Sequence, residues 1–536
     1  MEGRKIPWVV LCPLPAAFAA AAFLARDAAG PFWMWYLLDP GYFYLFDSLN
    51  LINFTTPGHI SHPGTPVQVL GALVLKVLYL TSNAEEITAA VLAEPEHHLR
   101  MIGNVLIALN AAVLFAVGAA AHAVFRTLTP ALMLQMAPFL SRMILQHAVN
   151  VKPESLLILA VLLMIIATVY ALRPGALEKN PVRFAVVFGL IAGFGVAVKL
   201  TSAPVFLLPV FVLGRLRPVG VYGAVSAASF LFFFLPAAGG ATMFVEWIGS
   251  VLVSSGDYGS GDTSVIDPAR YPQSIIKLFS RPIYLVTFVL SLISLAATWR
   301  MRKSVAPEWR TLMGVAAAQL FHVLAVAKQP TAYYLIPSWV LLPLAWVLMM
   351  RIAPAAKLRI ARHPRAFARG VAVLLAVMVV AGGATTAKTV REFGEKRQNS
   401  RAFDESRFSR CARVYFYAAS SPSFALYLGD YVTGGRFAAR LDGTTPVGDF
   451  WFENWHGSTR FRFADWRGAK DISGVLDRYP CLMARGLSTV SGHIIRGLGE
   501  TAPDLPLDGK CKAGEEIVLT AGVDCKGNPT GKTGAQ

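Results

Sequence analysis

The stretch KPESLLILAVLLMIIATVYALR, residues 152–173, decides the fold. From Glu154 to Leu172 it is almost wholly apolar, with no polar alternation, and it ends on a basic residue. At ~1.5 Å of rise per residue a helix of this length matches the ~30 Å hydrocarbon core of a bilayer. Similar runs lie near 8–25, 66–82, 101–125, 184–198, 201–214, 218–238, 282–299, 311–327, 333–350 and 370–387. With 154–172 they make eleven predicted spans. The run at 8–25 has no small-residue cleavage site after it and reads as a retained anchor.

Composition agrees. The chain has 536 residues, of which 55% are hydrophobic and only 15% charged, and its mean hydropathy is +0.51. Ordinary soluble proteins carry about 25% charged residues, so a soluble globule is excluded. So is a disordered chain, which cannot hold this much apolar surface in water. The net charge of +17 does not point to nucleic acid, because its placement is ordered. The segments 173–183, 215–217, 300–310 and 351–369, with Arg4 and Lys5, hold 17 basic residues and, counting Glu2, three acids. Short basic loops between apolar runs mark cytoplasmic faces.

Parity then sets the layout. The N-terminus falls inside, and the loops 26–65 and 239–281, the turn 328–332 and the tail 388–536 fall outside. The loop 83–100 falls inside despite Glu85, Glu86, Glu94 and Glu96. The segment 128–147 is apolar but interrupted by Pro138, Arg142 and His147. It is predicted to be re-entrant or to form two short halves, since irregular backbone at membrane depth is tolerated only where protein or water covers it.

The expected architecture is an α-helical polytopic membrane protein of about 11–13 transmembrane helices over 1–387, followed by a small α/β domain over 388–536. In that tail Arg413–Tyr417 alternates like a strand, and Ser421-Pro422-Ser423 suits a helix start. Four of the five cysteines, Cys411, Cys481, Cys511 and Cys525, lie there. An even number in a soluble segment suggests an oxidising compartment. Of three possible pairings, Cys411–Cys481 with Cys511–Cys525 is expected, the second bracketing a Gly-rich hairpin-like stretch.

The predicted outer side gathers ionisable and aromatic residues close to the membrane. Asp39 before Pro40 suits a helix N-cap, and the same carboxylate beside Tyr42 and Phe43 also suits a base facing a pocket. Asp47 and Asn50 share a helix face, solvated or functional. His62 lies in Ser61-His62-Pro63-Gly64-Thr65-Pro66, a rigid lead into the second span or an anion contact. Lys152 and Glu154 either snorkel and cap or serve a site. Lys199 between two short apolar runs, and Lys328 ahead of Tyr333 and Tyr334, are either interfacial anchors or phosphate ligands, membrane-edge charges being functional candidates by default. The loop around Asp257 and Tyr258 has enough glycine for a mobile lid or a linker. No zinc, EF-hand, nucleotide-loop or serine-hydrolase motif is present.

Taken in order, these features resemble the GT-C glycosyltransferases, in particular the branch of protein O-mannosyltransferases and lipid A aminoarabinose transferases. The resemblance covers about 1–350. It rests on Asp39 after the first span, His62 to Pro66 before the second, Glu154, Lys199, and Lys328 with Tyr333, Tyr334 and Pro337. It departs from the family in Pro40, where relatives carry an acidic pair, which leaves Asp47 as a rival carboxylate, and in the His-Pro-Gly form of the second motif. The resemblance implies a polyprenyl-phosphate-linked sugar donor and a lipid, glycan or protein acceptor, with transfer and inversion on the periplasmic side of an inner membrane. It implies Asp39 as base and Lys199, Lys328 and a tyrosine on the leaving phosphate. No metal is required, although a divalent cation bridging Asp39 and the phosphate is compatible. Two other classes fit less well. A transporter or flippase calls for ionisable residues along a transmembrane path and for two related halves; a glycan-binding scaffold calls for scattered outer charges.

Overall fold

The computed structural model describes residues 8–353, 364–453, 462–503 and 505–530. Every one of the eleven apolar runs contains helix, 66–82 only as far as Leu78, but fewer of the described helices than the expected 11–13 are of spanning length. Among the described residues seven helices are long and apolar enough to cross a membrane: Trp8–Ala29, Pro95–Phe125, Pro153–Ala171, Pro181–Val198, Leu216–Val253, Ala306–Val326 and Ala332–Ile352. Arg270–Phe279 and Pro282–Ala297, bent by 88°, make an eighth if counted together. Residues 354–363 of the basic loop 351–369 lie outside the described residues, as do Arg4 and Lys5. The interrupted segment is two short helices, Leu128–Gln135 and Arg142–Ala148, joined through a tight turn at Ala137–Phe139.

The chain folds as two compact units that do not follow chain order. The described residues of 1–25, 60–70 and 103–389 form the first, and those of 26–59, 71–102 and 390–536 form the second. In the first unit the helix Pro153–Ala171 is buried nearly all round. Its Ile158, Val161, Leu162 and Ile165 belong to a core shared with Leu341, Leu344, Leu312 and Val315. The unit's outer faces are apolar instead of polar: Leu231, Phe232, Val286 and Ile293 are each more than half exposed. Such faces are a liability in water and ordinary against lipid.

The second unit holds a seven-stranded sheet. Its strands are β1 Ala412–Tyr415, β2 Asp449–Glu453, β3 Arg462–Asp465, β4 Gly468–Ala469, β5 Leu482–Leu487, β6 Gly509–Ala513 and β7 Glu516–Ala521, in the order β4-β3-β2-β1-β5-β7-β6. β1 runs parallel to β2 and β5, and the outer pairs are antiparallel. The expected strand, the helix capped by Ser421 and the cysteine-bracketed hairpin are all present, and both disulfides have the expected pairing. The helix Trp35–Ile52 packs on Pro422–Val432, where Gly429 leaves room for Phe46 and Tyr42: a Cβ there would meet Phe46 at 2.9 Å.

One expectation about the layout is overturned. The run 66–82 becomes the helix Thr65–Leu78, only 14 residues long. At ~1.5 Å per residue it covers about 21 Å, too little to cross alone. The stretch after it, placed inside by parity, is the helix Ala84–Ala93, closed at its N-terminus by a reciprocal Asn83–Glu86 capping box. It belongs to the unit that contains the tail, and Glu85 pairs with Arg440 at 3.1 Å. The acids of 83–100 therefore belong to the same unit as the tail.

Candidate functional site

The first unit assembles a cluster of charged and aromatic side chains from four distant stretches. The helix Pro181–Val198 stops at Lys199, whose backbone is extended, and the chain continues as a tight helix over Leu200–Leu207. This break leaves backbone groups that need partners. The Ser61–Pro66 motif supplies two of them: Leu200 donates its N–H to the His62 carbonyl at 3.0 Å, and Gly64 donates to the Ala197 carbonyl at 3.2 Å. Gly64 has φ +76°, a conformation open to glycine at little cost. His62 thus contributes through its backbone, while its ring Nδ1 meets Ser61 Oγ at 3.3 Å.

The break aims Lys199 at Glu154. The Lys199 ammonium donates to Glu154 Oε1, with both side chains buried. Glu154 stands in the first turn of its helix behind Pro153, where the helix dipole favours a carboxylate. Lys199 Nζ also lies 4.2 Å from the Tyr334 ring centroid and 5.6 Å from that of Tyr333. Lys152, equally buried, holds its Nζ 5.1 Å from the Tyr333 centroid. His147 stacks on Tyr333 with ring centroids 4.6 Å apart, its Nδ1 donating to the Met143 carbonyl at 2.9 Å. Tyr258 closes the group, its hydroxyl 3.1 Å from that of Tyr334; its positive φ of 56° marks a strained loop position.

Glu154, Lys199, Tyr333, Tyr334 and Tyr258 are thus brought together, with the His62 backbone holding the break. Lys152, to which the sequence allows a site role, and His147, which it shows only as an interruption of 128–147, join them; an ionisable group that interrupts an apolar run is the signal that points to His147.

Lys328 is placed otherwise. Its ammonium donates to the carbonyls of Val251 and Leu252, the latter at 3.0 Å, at the C-terminus of the helix Ala241–Val253. That is a cation capping a helix end, and desolvation lowers its pKa. Asp39 lies in the helix Trp35–Ile52 and Asp257 in the turn Asp257–Gly259; the side chains of both lie outside the described residues.

Asp47 belongs to the second unit and is fully buried. Its oxygens accept from Gly58 N at 2.8 Å, His59 N at 3.1 Å and Asn50 Nδ2 at 3.1 Å. Asn50 in turn reaches the Thr433 carbonyl at 3.0 Å. Burial pushes the Asp47 carboxyl up to about 7, against the pull of those three donors. Nearby, Glu96 accepts from Phe32 N, Trp33 N and the Tyr42 hydroxyl at 2.8–3.1 Å, tying down the chain just ahead of the helix that carries Asp39.

Among the described residues no three His, Cys, Asp or Glu side chains are grouped to hold a metal ion. Among the described side chains the cluster holds the Glu154 carboxylate and the Lys152 and Lys199 ammonium groups, beside the rings of Tyr333 and Tyr334. No family model, no curated protein and no solved structure matches this chain.

Proposed function

We propose that the chain is a membrane-embedded glycosyltransferase of the GT-C type, moving one sugar from a polyprenyl-phosphate donor to an acceptor hydroxyl on the periplasmic side of a bacterial inner membrane. The observation that carries this reading is the buried Glu154–Lys199 pair, with Lys152, Tyr333 and Tyr334 around it, at a helix break clamped by the His62–Gly64 backbone. The two ammonium groups stabilise the phosphate as it departs. Glu154 positions Lys199 by accepting a hydrogen bond from its ammonium. The isoprenoid lies along the apolar faces of neighbouring helices.

In the reaction the acceptor oxygen attacks the anomeric carbon and the bond from that carbon to the phosphate oxygen breaks. The hydroxyl proton passes to a carboxylate, and polyprenyl phosphate leaves with the bonding electrons. The family resemblance gives that role to Asp39; Asp47 is the poorer candidate, because its oxygens already accept three N–H groups. The leaving phosphate needs no protonation, so the site can work without a general acid.

The test is consumption of a panel of undecaprenyl-phosphate monosaccharides by the full chain in nanodiscs, followed as release of undecaprenyl phosphate. Release by the wild type that is abolished in Lys199→Ala and Asp39→Asn supports the reading. No release from any donor, or equal release by Lys199→Ala, refutes it.

A further inference from the structure

We propose that the second unit carries a binding groove for an acidic saccharide, between Trp35, the end of the long helix Pro364–Arg401 and the β6–β7 turn. The sheet topology points to the region first. From β1 the chain leaves through the helix Pro422–Val432 toward β2 on one side, and it later returns to β5 on the other. The connections therefore diverge at the carboxyl ends of β1 and β5, the place where open α/β sheets bind their ligands.

The crevice itself is filled by the protein's own groups. Glu516 accepts from Ser420 N at 2.7 Å, from Ser400 Oγ at 2.6 Å and from Arg485 Nη2 at 2.8 Å. Ser420 Oγ accepts the backbone N–H of Trp35 at 3.1 Å. This buried network makes a rigid wall, and it fixes Trp35 at the rim.

Directly beyond lies open space. A cleft of about 480 Å³ is lined by Trp35, Lys396, Asn399, Lys512 and Glu515. It shares Ala402 and Lys512 with a second cleft of about 400 Å³, which runs past Asp404 and Arg407 to the Cys511–Cys525 disulfide. Volumes of this size suit a chain of a few sugars. The chemistry is also that of saccharide recognition: an indole ring for a sugar's C–H face, an amide and a carboxylate for hydroxyls, and lysines for an acid group. Lys396 Nζ lies 4.9 Å from the Trp35 centroid, so one cation is already held against the aromatic wall. Asp404 and Arg407 pair at 3.3 Å and offset each other. Lys396 and Lys512 against Glu515 leave the groove cationic, which selects an acidic sugar over a neutral one. This inference does not rest on the transferase reading, because binding can be measured whether or not transfer occurs.

The experiment is calorimetric titration of the full chain in detergent with tetragalacturonate and mannose 6-phosphate, beside maltotetraose and inorganic phosphate. At least one acidic saccharide is expected to bind more tightly than maltotetraose and than phosphate. Lys512→Glu and Asn399→Ala, both exposed positions, are each expected to weaken it about tenfold. The distant charge variant Arg478→Ala should leave it unchanged. No binding of either acidic saccharide overturns the proposal. Phosphate binding as tightly as the saccharides, or affinity unmoved by the two groove variants, overturns it as well.

Discussion

Replacing Glu154 by Gln tests whether the buried cluster is an electrostatic unit. Both ammonium groups lie within 5.6 Å of the Tyr333 ring centroid, which bounds their separation at roughly 11 Å. At an effective dielectric of ~20, two unit charges that far apart repel by about 1.5 kcal/mol, and more if closer. Glu154→Gln keeps a hydrogen-bond acceptor but removes the charge that offsets this repulsion. It is expected to destabilise by about 3–5 kcal/mol, the range for a buried pair losing one partner. Lys199→Met should cost less, by about 1.5 kcal/mol or more, because Lys152 still offsets the Glu154 carboxylate. The double variant Glu154→Leu/Lys199→Met removes both charges and is expected within about 2 kcal/mol of the wild type. Unfolding by SDS in mixed micelles, followed by tryptophan fluorescence, measures all four proteins. The reasoning fails if the double variant loses the sum of the single losses, or if Lys199→Met is the more damaged single variant. Donor consumption by a double variant of restored stability then separates chemistry from folding: under the transferase reading it stays inactive.

Three further outcomes are expected. Burial pushes the folded Asp47 carboxyl up to about 7, against ~3.9 when unfolded, so the stability it contributes is fully present below about pH 4 and is lost as pH rises through 7. Relative to Asp47→Asn, the wild type should therefore weaken over that window in pH-dependent thermal unfolding, and parallel curves would remove the carboxyl from the account. Removing Cys411–Cys481, which spans 70 residues, should cost about 1.4 kcal/mol more than removing Cys511–Cys525, which spans 14, on loop-closure entropy; near-UV circular dichroism in urea on the paired Cys→Ala variants checks the order. Cysteines placed at Glu86 and at Arg440 should react with an impermeant maleimide from the same face of sealed vesicles, whereas labelling from opposite faces would contradict the Glu85–Arg440 pair.

What could be read in the sequence follows the range of the physics involved. Helices came from local hydropathy, and all eleven runs contain helix because burying an apolar stretch against core or lipid needs no distant partner. Length set the limit: 66–82 reads as apolar over 17 positions, yet only the 14 residues Thr65–Leu78 form helix, and the stretch 83–100 after it folds in the unit that holds the tail. Glu154 and Lys199 stood out as charges against apolar runs, and they meet. Lys328 stood out for the same reason, yet its ammonium goes to carbonyls 76 and 77 residues upstream. A lysine at a helix end looks identical in sequence whether it caps a neighbour or waits for a phosphate.

The same distinction separates the carboxylates. Asp47 and Glu154 each sit on an apolar helix and each is buried, but Asp47 accepts backbone N–H groups from its own loop and Glu154 accepts an ammonium. A carboxylate bound to backbone amides holds a turn in place and needs no further counter-ion. One bound to a lysine, with a second lysine and two tyrosines beside it, joins charged and aromatic side chains from distant stretches of the chain. That difference in partners, invisible in the spacing of either residue, is what makes the Glu154 cluster the place to look for a substrate and the Asp47 cluster the place to look for stability.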